Sequence, residues 1–217
     1  MSKTPQTFYV ARAKRALDIA GSSILLLITA PIQALCAIAI AANDGRPVYY
    51  HQSRVGKDGK IFRIHKFRTM TVGTDLVAAG YPSPEMVTKV GRTLRRLSLD
   101  EIPQLANILR GEMSLIGPRP ALPSQVERYT SEQRGRLVVR PGLTGLAQIR
   151  HRDSAPWSRR IETDLEYVRG LSLGMDLRIL FRSIPAVLRA QGQLDEDTAT
   201  DPDDLGTDEA KAGRAHD

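Results

Sequence analysis

Asp100 and Glu101 stand side by side in Ser98-Leu99-Asp100-Glu101-Ile102-Pro103-Gln104. They follow three arginines, Arg92, Arg95 and Arg96, whose spacings of three and four put them on one helical face suited to anions. A carboxylate can attack phosphorus to give an aspartyl phosphate, which splits a transfer between two bulky partners into two easier steps. Its neighbour could bind a metal or move a proton, and arginines or a hard divalent ion could neutralise a diphosphate in the transition state. The same residues suit a structural part. Ser98 with Glu101 has the spacing of a capping box, Leu97 with Ile102 that of a hydrophobic staple, and acidic groups complement the positive end of a helix. With Ser98 as cap, Pro103 would fall where its ring begins to clash with a preceding carbonyl, so Asp100 is the better cap. Spacing leaves the catalytic and capping roles side by side.

The elements around this stretch read as follows. Val90 to Leu97 is helical, and Ile102, Leu105, Ala106 and Leu109 form the apolar stripe of a second helix ended by Gly111. Residues 47 to 70 predict a β-hairpin around a Gly56 to Gly59 turn, with Lys66 and Arg68 near its end. Residues 71 to 88 read as a mobile loop. Residues 113 to 124 and 140 to 147 are rich in Pro and Gly and read as shaped loops, the first holding Arg119 between Pro118 and Pro120. Near the C-terminus, Leu177, Leu180, Phe181, Ile184, Val187 and Leu188 share a helical face with Arg178, Arg182 and Arg189 off it, a pattern that fits a membrane surface or a core-packed helix.

From Ile19 to Ala42 there are 24 residues without a charge, and at about 1.5 Å per residue a straight helix of that length would cross a bilayer's hydrocarbon core. Pro31 sits near its middle, and basic residues flank both ends: Lys3, Arg12, Lys14 and Arg15 before, Arg46, Arg54, Lys57, Lys60, Arg63 and Lys66 after. Such symmetry removes the charge bias that orients a spanning helix, so the expectation is a re-entrant hairpin over about residues 15 to 42, broken at Pro31. An ordinary span is the competing reading; a signal peptide is disfavoured by the length of the run.

A chain of 217 residues supports one domain with a real core, placed at residues 1 to 192. Residues 193 to 217 carry nine acidic and two basic residues; with a net charge of +7 for the whole chain, the remainder carries +14. The tail is expected to be disordered, and the basic body to meet an anionic partner: nucleic acid, phospholipid or a phosphate-bearing substrate. No nucleic-acid-binding motif is present. A lone cysteine, Cys36, excludes an internal disulfide. His51, His65, His151 and His216 lack paired metal-ligand spacing, and Trp157 reads as an interfacial or core anchor.

Several stretches together resemble the bacterial sugar transferase family, the monotopic phosphoglycosyl transferases that begin cell-surface glycan and exopolysaccharide assembly. They are Lys14-Arg15-Ala16-Leu17-Asp18, Gln52-Ser53-Arg54-Val55-Gly56, Lys66-Phe67-Arg68-Thr69-Met70, Thr88-Lys89-Val90-Gly91-Arg92 and Leu99-Asp100-Glu101-Ile102-Pro103-Gln104. Two more follow, Gly111-Glu112-Met113-Ser114-Leu115-Ile116-Gly117-Pro118-Arg119-Pro120 and Arg140-Pro141-Gly142-Leu143-Thr144-Gly145. Their joint order after one apolar stretch carries the resemblance, over about residues 12 to 190.

The resemblance implies a small α+β catalytic domain with a re-entrant membrane helix hairpin and interfacial amphipathic helices, on the cytoplasmic face of a bacterial inner membrane. It implies that Asp100 is a nucleophile forming a phosphosugar-enzyme intermediate with loss of UMP, and that Glu101 assists as a base or by positioning Mg²⁺ with Asp100. It further implies a UDP-sugar donor and an undecaprenyl phosphate or similar polyprenol phosphate acceptor beside membrane phospholipid; homodimerisation is left open. Arg119 would help form the nucleotide-sugar site, with Lys66 and Arg68 near it. Lys14, Arg15 and Asp18 would sit at headgroup level. Where the family commonly has Ser-Pro at the hairpin break, this sequence has Ala30-Pro31, so another hydroxyl, with Thr29 the candidate, would serve the freed backbone groups. The linker between Met70 and Thr88 and the acidic tail match no family pattern.

Overall fold

The computed structural model describes residues 12–73, 84–151, 155–188 and 204–205. They form a small mixed helix-and-sheet domain with one long apolar helix at its N-terminal side. That helix, α1 (Lys14–Asn43), runs through Pro31 as a single element. The expected pair of hairpin helices is therefore one helix, because an internal proline removes one hydrogen bond and bends a helix without having to end it. The Thr29 hydroxyl donates to the Leu25 carbonyl one turn back at 2.6 Å.

The less exposed positions of α1 include Asp18, Ser22, Leu26, Thr29, Gln33, Cys36 and Ile40, spaced by three or four residues as one face of a helix requires. Leu26 packs on a core of Phe62, Ile64, Leu105, Ile108 and Met113, and Cys36 and Ile40 lie against Phe67 and Leu94. The opposite face is bare and apolar: Leu27 is 79% exposed and Leu35 67%.

The antiparallel hairpin of β1 (Tyr49–Val55) and β2 (Ile61–Phe67) stands where the sequence predicts it, in register from Tyr49 opposite Phe67 to Val55 opposite Ile61. Asp58 and Gly59 take positive φ in its turn. Alternation along β2 buries Phe62 and Ile64 on one face, and Phe67 is buried at the strand's end, out of that period. Next come α2 (Lys89–Arg96), capped by the Thr88 hydroxyl on the Gly91 amide at 2.9 Å, a 3₁₀ segment Leu99–Gln104, and α3 (Leu105–Arg110), closed by Gly111 at φ +86°. The 3₁₀ segment winds faster than an α-helix, so a stripe counted at one period drifts. Leu105 is buried and Ile102 packs on the same core as predicted, but Ile108 is fully buried where the stripe predicts Leu109, which is 38% exposed.

Two segments predicted as loops contain a parallel strand pair, β3 (Ser114–Ile116) with β4 (Gly142–Thr144). Their backbones cross so closely that a Cβ on Gly142 would stand 2.1 Å from the Gly117 nitrogen, which only glycine permits. The remaining helices are α4 (Pro123–Glu127), α5 (Leu146–His151), α6 (Trp157–Arg169) and α7 (Leu173–Leu188). Trp157 joins the core with Ile161 and Leu165. In α7, Ile179 is buried, while Leu177, Leu180 and Phe181, three residues of the apolar face read from the sequence, are exposed; the side chains of Ile184, Val187 and Leu188, and Arg189, lie outside the described residues. The stretch 74–83, most of the tail and His216 lie outside the described residues; Asp204 and Leu205, within the tail, are described.

Candidate active site

The 3₁₀ segment puts Asp100 and Glu101 on different neighbours. Ser98 enters it at φ +54°, and no side-chain cap forms at its start. Asp100 lies inside the first turn, so the predicted capping role is not the one the backbone adopts.

Glu101 Oε1 accepts from Lys66 Nζ at 2.6 Å and from Arg119 Nη2 at 3.1 Å. Strand β2 thus delivers Lys66 and the Pro118–Pro120 loop delivers Arg119 to one oxygen. Burial pushes the Glu101 carboxyl up, but Lys66 and Arg119 overcome it and hold the pKa at about 2. Asp100 is 7% exposed and accepts no hydrogen bond among the described residues. Burial, with the adjacent Glu101 charge, raises its pKa against the pull of Lys66, Arg95 and Arg119. One carboxylate is locked to two cations; the other is buried in their field without a donor.

Arginines shape the rest of the site. Arg95 Nε donates to the Thr69 hydroxyl at 2.9 Å, and burial lowers its pKa while Asp100 raises it. Arg92 and Arg96, predicted with Arg95 as one anion-holding face, are exposed, and their side chains make no hydrogen bond or ion pair among the described residues. Arg68 turns elsewhere: its Nη2 donates to the Asp44 and Gly45 carbonyls at 2.6 and 2.8 Å, closing the C-terminal end of α1.

Lys14, Arg15 and Asp18, predicted at headgroup level, fasten α1 to the domain. Lys14 Nζ meets Asp176 at 2.6 Å and the Ile116 carbonyl at 2.9 Å. Arg15 donates to the Ile108 and Leu109 carbonyls at the end of α3, at 2.6 and 3.0 Å. Asp18 Oδ1 accepts from the Ser114 hydroxyl and the Leu115 amide, both at 2.9 Å. Pro31 lies on the exposed side of α1.

Sequence reasoning missed the residues that hold the Arg119 loop. Arg54 Nη1 donates to the Pro120 carbonyl at 3.1 Å, with its own pKa pushed down to about 10 by burial and by Arg119. Arg136 Nη2 donates to the Arg119 carbonyl at 2.8 Å, its Nη1 to the Tyr129 hydroxyl at 2.5 Å, and it pairs with buried Asp164. A shallow depression beside Arg119 is lined by Gly56, Pro118, Ala121, Arg136 and Leu137. His51 and His65 also meet across the hairpin, with their Nδ1 atoms 2.9 Å apart; the cross-strand register, which spacing does not reveal, brings them together.

A carboxylate pair set among convergent cations suits an anionic group, and the long apolar helix fastened to the domain is compatible with membrane association. Residues 9–190 match the bacterial sugar transferase family, and the chain belongs to that family. It is 40% identical over 197 residues to the exopolysaccharide production protein ExoY of Rhizobium meliloti, across 83% of this chain and 87% of that one. It is 40% identical over 185 residues to a UDP-glucose:undecaprenyl-phosphate glucose-1-phosphate transferase of Caulobacter vibrioides, across 81% of this chain and 69% of that one. Against an undecaprenyl-phosphate galactose phosphotransferase of Salmonella typhimurium the identity is 36% over 196 residues, 82% of this chain and 41% of the longer relative.

Proposed function

We propose that this sugar transferase moves a sugar 1-phosphate from a UDP-sugar to undecaprenyl phosphate or a similar polyprenol phosphate, in two steps through Asp100. An Asp100 oxygen attacks the β-phosphorus of the donor, the bond from that phosphorus to the bridging oxygen breaks, and UMP leaves. A phosphate oxygen of the lipid then attacks the same phosphorus, the bond to Asp100 breaks, and a polyprenyl diphosphosugar is released. The observation that carries this reading is the buried Asp100 carboxylate, without a hydrogen-bond donor among the described residues and set in the field of Lys66, Arg95 and Arg119. A largely buried anion without donors is costly, and the cost is consistent with a nucleophile whose oxygens are left open to attack phosphorus.

Glu101, held at about 2, is a poor base at neutral pH. Its fixed place between Lys66 and Arg119 fits positioning of cations around the diphosphate. Mg²⁺ suits this pair of hard oxygen donors, because it takes one or two carboxylates and completes its shell with water and substrate phosphates. No group of three or more His, Cys, Asp or Glu gathers among the described residues, so the substrate would supply much of the shell. Asp100 and Glu101 would hold the ion, which when bound neutralises charge on the diphosphate. Arg119 would reach the donor's phosphates from its braced loop.

The acceptor's phosphate lies at headgroup depth and the nucleotide sugar is a soluble donor, so the reading puts the catalytic domain where the two would meet, at the cytoplasmic membrane face. Both ends of α1 are fastened to one domain, Lys14, Arg15 and Asp18 at the start and Ile40 and Asp44 at the finish. Fastening at both ends favours insertion from one side over a span that leaves the ends on opposite sides. It supports entry into one leaflet through the bare apolar face, with the exposed Leu177, Leu180 and Phe181 of α7 as an interfacial contact. Membrane-impermeant labelling of single cysteines at Arg12 and Ser53 in a Cys36→Ala background should mark both from the cytoplasmic side; labelling from opposite sides would contradict same-side insertion.

The reaction is tested by UMP release from a panel of UDP-sugars with Mg²⁺ and undecaprenyl phosphate in detergent. Release that requires the lipid and vanishes in folded Asp100→Asn is expected. Undiminished release by that variant would overturn the reading.

A further inference from the structure

The acidic C-terminal segment lies beyond the residues matched by the family, yet it touches the domain at two adjacent residues. Asp204 Oδ1 accepts from the Ser158 amide at 3.0 Å. Leu205 is 2% exposed, seated among Val55, Ala121, Val126, Tyr129 and Trp157. Arg128 Nη1 donates to the Leu205 carbonyl at 3.1 Å.

Each half of this contact answers a need of the domain. Helix α6 starts behind Pro156, whose side chain offers no acceptor for the amides of the first turn. A carboxylate at Ser158 supplies that acceptor and complements the positive end of the helix. The apolar residues between β1, α4 and α6 would face water without Leu205, and burying a leucine there removes its surface and theirs together. One residue satisfies the helix end and the next fills the hollow, so a bare acid or a bare leucine would do only half.

We propose that the domain carries a socket for an Asp-Leu segment, and that residues 204–205 of the same chain are its occupant. The acidic tail is thereby pinned to the catalytic domain at residues 204–205. The socket adjoins the Arg119 loop: Ala121 directly follows Pro120, and the Val55 amide donates to the Ala121 carbonyl at 2.9 Å. If Arg119 binds the donor, a step that rests on the function proposed above, seating Leu205 stiffens the loop that presents it.

The test uses the full chain with Leu205→Asp or Asp204→Ala, and a labelled synthetic peptide spanning residues 200–209. Both substitutions should make the tail more open to limited proteolysis and speed hydrogen exchange at the Ser158 amide, by about five- to tenfold for the lost cap. The peptide should bind the Leu205→Asp chain, whose socket is vacated, and not the wild type; a peptide carrying Leu205→Asp should bind neither. Equal exchange and proteolysis in all three chains, or equal peptide binding to wild type and variant, would overturn the socket. These readouts need no turnover, so they stand apart from the fate of the proposed reaction. A severalfold rise in donor KM with kcat retained would support the coupling to Arg119, and an unchanged KM would overturn that coupling.

Discussion

Asp100 and Asp164 are both buried aspartates set among arginines, and the fold provides for them in opposite ways. Asp164 is paired with Arg136, which also bonds the Tyr129 hydroxyl and the Arg119 carbonyl. Asp100, 7% exposed, has no hydrogen-bond donor among the described residues; the charges of Lys66, Arg95 and Arg119 act on it from outside hydrogen-bond reach. A buried ion pair that also bonds its neighbours holds a loop in place. A buried carboxylate without them keeps its oxygens open to a reacting atom. Glu101, one residue on, belongs with Asp164 in this respect, since its Oε1 is taken by Lys66 and Arg119.

Substitutions at the two aspartates should separate chemistry from stability. Asp100→Asn should cost on the order of 10⁶-fold in kcat, as loss of a nucleophile does. Because folding raises the Asp100 pKa, the ionised form is the one the fold disfavours, so this variant should keep or raise the urea midpoint of unfolding. Asp164→Asn should do the reverse: it leaves Arg136 buried and charged without its partner, at a cost of about 3–5 kcal/mol in urea unfolding. The double change Arg136→Met with Asp164→Leu should recover most of that loss.

Arg119→Ala should lower kcat/KM by about 10²- to 10³-fold, the range for removing a donor to developing charge. Its readout is initial rates across donor concentrations. The Asp100 carboxyl must be ionised to attack, so kcat/KM should rise with pH through an acid limb above the ordinary carboxylate range. Lys66 lowers the Asp100 pKa, so Lys66→Gln should move that limb to higher pH in a pH–rate profile. Movement to lower pH would break the assignment. Least affected should be Arg92→Gln and Arg96→Gln, within about twofold, because exposed charges without partners contribute little.

Local pattern was enough for the β1–β2 hairpin and helices α2 and α7, where alternation or a 3.6-residue period runs for several residues. It was enough to find the Asp100-Glu101 pair, but not to decide whether Asp100 caps a helix, because the capping reading assumed an α-helix where the chain winds a 3₁₀ segment. Strands β3 and β4 were illegible because three residues carry no period. The brace of Arg136 and Asp164 joins positions 28 residues apart, and the fastening of Lys14 to Asp176 spans 162; no spacing rule reaches so far. Basic residues ahead of an apolar helix read as membrane contacts by composition, whereas here the α3 carbonyls and Asp176 claim them.

The most direct test is to trap the intermediate. The chain is incubated with a UDP-sugar it turns over, without lipid acceptor, then digested and examined by mass spectrometry. A sugar phosphate on Asp100, formed with release of UMP and discharged by added undecaprenyl phosphate, is the predicted result. An adduct on another residue, or lipid-linked product from Asp100→Asn, would contradict the account.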